Sequence, residues 1–310
     1  MKFLHIAQIG TGRVGRPTAY TILCSELADK ITVCDTKSGL AQAFAEELKH
    51  VTVSLGLDVE ILSCDKDENV TDADIILVSA GKPRTPGVKM TRRDLATQNG
   101  QIVKQIAEST ALNNPDAKYV VITNPVDAMA MVCKKYSKAD FVISTGTNLE
   151  TLRFRAGLAK ALDVPVTAIE GWVGGEHGIN AVVLWSTVKI SDMPIQQYVE
   201  SSRKSLPRDE IENYVKSVSK LIVDNIGGTE YGPAASFRDI VRAIVNDENR
   251  LLPVAAPTEF EELDEPIFIS IPLTLGNSIG PSIYDELTHQ EQLYLKESAE
   301  AIYQTYRNTT

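Results

Sequence analysis

Cysteine is scarce: Cys24, Cys34, Cys64 and Cys133 are the only four in 310 residues, and no two form a C-x-x-C pair. That spacing suits neither a disulfide framework nor a zinc site, so buried free thiols and no bound metal are expected. Positive charge is also short, with 31 Lys and Arg against 41 Asp and Glu and a net charge of −10. Nucleic acid is therefore not an expected partner, because phosphate backbones recruit basic surfaces. No run approaches the roughly 20 apolar residues that cross a bilayer, so no membrane association is expected. The segment Met1–Ile9 is interrupted by His5 and Gln8 and runs into glycines instead of a cleavage site, so a cytoplasmic location is expected. Internal repeats and low-complexity tracts are absent.

What is present is an ordinary globular composition, 43% hydrophobic and 23% charged, in a chain long enough for two domains. Short apolar runs at Phe3–Ile9, Ile31–Cys34, Ile75–Val78, Tyr119–Thr123 and Phe141–Ser144 read as strands. Helix-like stretches such as Gly39–His50 and Asp94–Leu112 lie between them. This alternation predicts βαβ units, a Rossmann-type doubly wound parallel sheet over residues 1–147. An α+β domain over 148–310 is expected to follow, with a helix over Leu149–Ala161. Strands are expected at Ala168–Val173, Ala181–Val188 and Phe268–Leu275, some antiparallel, and a helix over Glu210–Ile226. Thr288-His289-Gln290-Glu291 fits a capping box opening the last helix.

Gly10-Thr11-Gly12-Arg13-Val14-Gly15 follows the first strand and opens a helix, the context in which G-x-G-x-x-G carries meaning. Gly10 permits the tight turn, Gly12 the approach of a pyrophosphate, and Gly15 close helix–strand packing, with helix N-terminal amides facing the anion. Asp35 stands 20 residues beyond Gly15 at the end of the next strand, where a carboxylate accepts from ribose hydroxyls and repels a 2′-phosphate. NAD is thus the expected cofactor. Lys37 and Ser38 follow closely, which leaves some use of NADP open.

Histidine is the other scarcity, with four in the chain: His5 in the first strand, His50 and His289 in helical stretches, and His177 in Gly174-Gly175-Glu176-His177-Gly178. Only His177 has small neighbours that leave room for a substrate; on this ground alone it is as readily structural as catalytic. Lys82, Arg84, Lys89, Arg92 and Arg93 make a basic loop on an acidic protein. Such a loop can gather a small anion, although by composition it reads first as a solvated surface. Glu150 and Arg153, three residues apart, share a helical face, and by themselves read as a surface ion pair.

The order of motifs resembles the lactate/malate dehydrogenase family along essentially the whole chain. They run G-T-G-R-V-G, Asp35, P-R-T-P-G…R-R-D-L, T-N-P-V-D at 123–127, L-E-T-L-R-F-R at 149–155, G-G-E-H-G at 174–178 and G-G-T at 227–229. The phrasing around L-E-T-L-R and V-L-W-S-T-V is most similar to the archaeal malate-specific members. The resemblance implies reversible hydride transfer between NAD and malate or oxaloacetate, in a homodimer or homotetramer that binds a small dicarboxylate.

It also implies roles for individual residues. His177 would carry the proton, Glu150 would orient and charge-stabilise it, and Arg153 would clamp the C1 carboxylate. Asn124 would bind the reacting oxygen, Arg92 would close over the substrate, and Thr229 would line the pocket. Arg84 would take the second carboxylate, where lactate-specific members usually have glutamine. Gly10, Gly12, Arg13, Val14, Gly15, Asp35, Asn99 and Asn124 would contact the cofactor.

The chain departs from the family in two places. Val88-Lys89 lengthens the loop, and Arg92 rather than Arg93 keeps R-x-D-L in register. Glu150 stands where most members carry Asp. The alternatives are a lactate or other 2-hydroxyacid dehydrogenase, disfavoured by Arg84, and an NAD-dependent glycosidase, disfavoured by Thr123 where that class has a metal-binding Cys. A silent NAD-binding or redox-sensing protein is disfavoured by the intact His177, Arg92 and Arg153.

Overall fold

The computed structural model describes residues 3–82 and 92–309, with Arg92 and Arg93 described as helix backbone only. Six parallel strands form its first half: β1 (His5–Ile9), β2 (Lys30–Cys34), β3 (Glu60–Cys64), β4 (Ile75–Val78), β5 (Lys118–Val121) and β6 (Val142–Ser144). The helices of this half are α1 (Gly15–Cys24), α2 (Leu40–Leu55), α3 (Arg92–Ala111) and α4 (Val126–Ser137). Strand order β3-β2-β1-β4-β5-β6 reverses direction between β1 and β4. Ligands of open α/β sheets sit at such a switch point, beyond the carboxyl ends of the strands.

Helix α5 (Asn148–Leu162) leads into β7 (Ile169–Gly175), β8 (Ala181–Ile190) and β9 (Met193–Pro194). Next come α6 (Ile195–Ser202), α7 (Arg208–Ile226) and α8 (Tyr231–Val245), then β10 (Arg250–Leu252), β11 (Ala255–Thr258) and β12 (Ile267–Ser270). The chain closes with β13 (Leu273–Leu275), β14 (Ile279–Ser282) and α9 (His289–Arg307). Strands β11, β12, β7, β8 and β9 continue the parallel sheet beyond β6 by antiparallel pairings, while β10, β13 and β14 form a small separate sheet. Apolar layers cover both faces of the large sheet, and a third packs α5 and α7 against β7 and β8.

Two expectations from sequence need correction. Phe268–Leu275 is two strands in two sheets, because Pro272 separates them and has no N–H to donate to a ladder. Its carbonyl instead accepts from Ile283 N at 3.0 Å. The helix expected to stop at His50 continues to Leu55 and ends at Gly56, whose φ of +68° suits a left-handed cap.

Candidate active site

The described residues singled out by motif gather beyond the carboxyl ends of the parallel strands. Gly10 follows β1 with φ +92°, and a side chain there would collide with the Ala80 backbone. A Cβ on Gly15 would strike the Gly10 carbonyl oxygen and lie 2.7 Å from Ser79 Oγ, so only glycine lets α1 start this close to the sheet. A Cβ on Gly12 would meet no protein atom within 4 Å, leaving open space over the loop for a pyrophosphate. Val14 packs partly buried against the apolar layer. Asp35, at the end of β2, accepts from Thr11 N at 2.8 Å, Thr11 Oγ1 at 3.0 Å and Lys37 N at 2.9 Å. The carboxylate is thereby fixed beside the glycine loop. Loop, helix N-terminus and acid fit a dinucleotide.

Arg13 and Asn99 have other partners in this structure. The Arg13 guanidinium pairs with Glu230 at 2.5 Å and donates to Ile226 O at 3.3 Å, joining the glycine loop to the turn between α7 and α8. Thr229 sits in that turn, partly buried. Asn99 is buried; its Oδ1 accepts from Lys82 N at 2.8 Å and its Nδ2 donates to Asn124 O at 2.7 Å. It therefore braces the segment carrying Asn124, whose own side chain is exposed. Arg84 lies outside the described residues, and so does the Arg92 side chain at the start of α3.

The acid–base cluster forms where α5 meets the loop after β7. Glu150 lies in the first turn of α5 with its side chain only 2% exposed. Its Oε2 is 3.1 Å from His177 Nδ1, and its Oε1 accepts from Arg153 Nη1 at 3.3 Å. A carboxylate only accepts, so Nδ1 carries the hydrogen and the neutral imidazole keeps its lone pair on Nε2. Burial disfavours the imidazolium, but the charge and hydrogen bond of Glu150, with the charge of Asp127, outweigh it and raise the His177 pKa. Burial likewise works against ionised Glu150; His177 and Arg153 overcome it and hold this carboxyl below its usual range. The result is a histidine able to hold and release a proton, beside a guanidinium able to grip a carboxylate.

Sequence reading passed over one member of this cluster. Asp127, in the first turn of α4, is buried; its Oδ2 accepts from His177 N at 3.0 Å and its Oδ1 from Ser144 Oγ at 2.7 Å. The available signal was a lone acid within V-D-A-M-A-M-V-C, where every neighbour is apolar.

Two family models match nearly the whole chain: the NAD-binding domain of lactate/malate dehydrogenases over residues 4–141, and that family's α/β C-terminal domain over 147–308. A malate dehydrogenase of Sulfurisphaera tokodaii is 39% identical over 302 residues, 97% of this chain and 95% of the relative. An L-lactate dehydrogenase of Thermoanaerobacter pseudethanolicus is 33% identical over 303 residues, 96% of each chain. Among solved structures, the minor L-lactate dehydrogenase of Enterococcus mundtii has a TM-score of 0.92 at 29% identity, covering 99% of this chain and 98% of its own.

Proposed function

Since the chain belongs to the lactate/malate dehydrogenase family and is an NAD-dependent oxidoreductase, we propose that its substrate pair is (S)-malate and oxaloacetate. The observation that carries the chemistry is buried Glu150 bridging His177 and Arg153. In the oxidation direction, His177 Nε2 takes the hydroxyl proton and Glu150 stabilises the imidazolium that forms. Arg153 grips the C1 carboxylate, and Asn124 donates to the reacting oxygen. NAD, when bound, supplies the hydride acceptor. Arg92 polarises the carbonyl, Thr229 lines the pocket, and the two halves of the chain divide near residue 147.

Malate is favoured over lactate by Arg84 in P-R-T-P-G, which pairs the second carboxylate, and by the malate dehydrogenase name of the 39% identical relative. Truncating a buried charge pair costs about 2–5 kcal/mol, and each 1.4 kcal/mol is about tenfold, so one arginine is enough to set this preference. Among the described residues no helix is long and apolar enough to cross a membrane. We place the enzyme in the cytoplasm as a homodimer or homotetramer.

The test follows NADH absorbance with oxaloacetate, pyruvate and 2-ketobutyrate in parallel. Oxaloacetate should exceed pyruvate in kcat/KM by about a hundredfold or more, and Arg84→Gln should shrink that ratio mainly through loss on oxaloacetate. Equal rates on the first two in the native enzyme would defeat the malate reading and leave the dehydrogenase class standing.

A further inference from the structure

We infer that Asp127 is a positioning residue for proton transfer: it pins the loop bearing His177 and stabilises the imidazolium with a second buried negative charge. The inference rests on the reading of His177 as the proton carrier. Asp127 receives two donors, the His177 amide at 3.0 Å and the Ser144 hydroxyl at 2.7 Å, and two donors on one carboxyl favour its ionised form. Ser144 Oγ itself accepts from Gly146 N at 3.1 Å, so its hydrogen is free to point at Asp127. One side chain thus ties together the start of α4, just beyond Asn124, the end of β6 and the loop after β7. These three segments carry or flank the site.

A strut alone does not need charge. Asparagine also offers an oxygen to the His177 amide, and burying it costs far less than burying a carboxylate. The charges around His177 give the carboxylate a purpose. From α5 come Glu150 and Arg153, which pair with each other, so the guanidinium cancels part of the field of Glu150. From α4 comes Asp127, and adjacent in the chain is buried Glu176, which accepts from Asn180 Nδ2 at 2.5 Å. Asp127 therefore adds negative charge that Arg153 does not neutralise by contact. Burial pushes its carboxyl up to about 6, against the pull of the His177 amide and Ser144 hydroxyl, so it is charged at neutral pH.

The experiment compares wild type and Asp127→Asn in the full-length enzyme. It uses kcat/KM–pH profiles for ketoacid reduction by NADH and an NMR titration of 13C-labelled imidazoles, with the His177 signal assigned by its loss in His177→Asn. Removing the charge should move the imidazole titration to lower pH and carry the alkaline limb of ketoacid reduction with it. NADH affinity, measured by fluorescence, should hold. If Asp127→Asn does not fold, Ser144→Ala keeps the carboxylate but removes a bond favouring its charged form. Both observables should then move in the same direction by less. An imidazole titration at the wild-type position in the variant that folds overturns the inference and marks Asp127 as a strut. A shifted imidazole with an unshifted rate profile overturns His177 as proton carrier, and this role of Asp127 with it.

Discussion

Glu150 is a single side chain holding two partners, and its extra methylene relative to Asp makes it the most informative residue to change. Its charge raises the pKa of His177, so Glu150→Gln should move the kcat/KM–pH profile of malate oxidation to lower pH. The same change should lower the rate by orders of magnitude at neutral pH while NADH binding barely changes. Glu150→Asp keeps the charge and withdraws the oxygens from Nδ1, now 3.1 Å away; misplacements near 1 Å cost about a hundredfold. Asp should therefore be worse than Glu here, although most of the family carries Asp. Near-wild-type rates and an unshifted profile in Glu150→Gln would show that another group orients His177. The pairing of Glu150 with Arg153 was visible as an i,i+3 spacing. Its pairing with His177, 27 residues away, was legible only through the family resemblance.

At the scale of elements, α9 shows how a local signal and a distant one meet in one residue. Thr288 Oγ1 accepts from Glu291 N at 3.3 Å, and Glu291 Oε2 accepts from Thr288 N at 3.0 Å, the reciprocal capping box that the motif predicted. Glu291 also accepts from Ser186 N at 2.9 Å and Ser186 Oγ at 2.6 Å on β8. Thr288→Ala should lower stability by about 1 kcal/mol. Glu291→Ala should cost about twice that or more, because it also leaves a Ser186 donor unpaired. Burial works against the Glu291 charge, but the Ser186 and Thr288 bonds outweigh it and keep its pKa below the usual value. This contribution is present above the unfolded carboxylate pKa and fades as pH falls through the folded one. Denaturant melts of the two variants at pH 7 and at acid pH check both size and direction; equal losses in the two variants would mean the β8 tie adds nothing. Element legibility failed for a different reason at β3. On this edge strand Ile61 alone is fully buried, so Glu60–Cys64 shows little of the apolar run by which its neighbours were found.

For the whole molecule, the buried contact between Asp127 and the His177 amide joins segments 50 residues apart, and its charge bears on how stability depends on pH. Asp127 has a folded pKa of about 6, against about 3.9 for an unfolded aspartate. A raised carboxyl stabilises the fold fully below the unfolded value, and that contribution is lost as pH rises through the folded one. Keeping Asp127 charged above about pH 6 thus costs up to about 3 kcal/mol, so Asp127→Asn should gain thermal stability relative to wild type between about pH 4 and 6 and keep the gain above. A variant that loses ground as pH rises would show that the charge is net stabilising. The sequence by itself determined the parallel βαβ half, the glycine loop with Asp35, and the capping box. Each depends on contacts within a turn or on a strand–loop–helix unit whose spacing is written in consecutive residues. Only the tertiary structure decided that Pro272 divides one apolar run between two sheets, that Arg13 pairs with Glu230 across 217 residues, and that Asp127 reaches His177 across 50. Those pairings depend on where β6, β7 and the α7–α8 turn come to lie once the sheet has closed, and no local period or spacing encodes such distances.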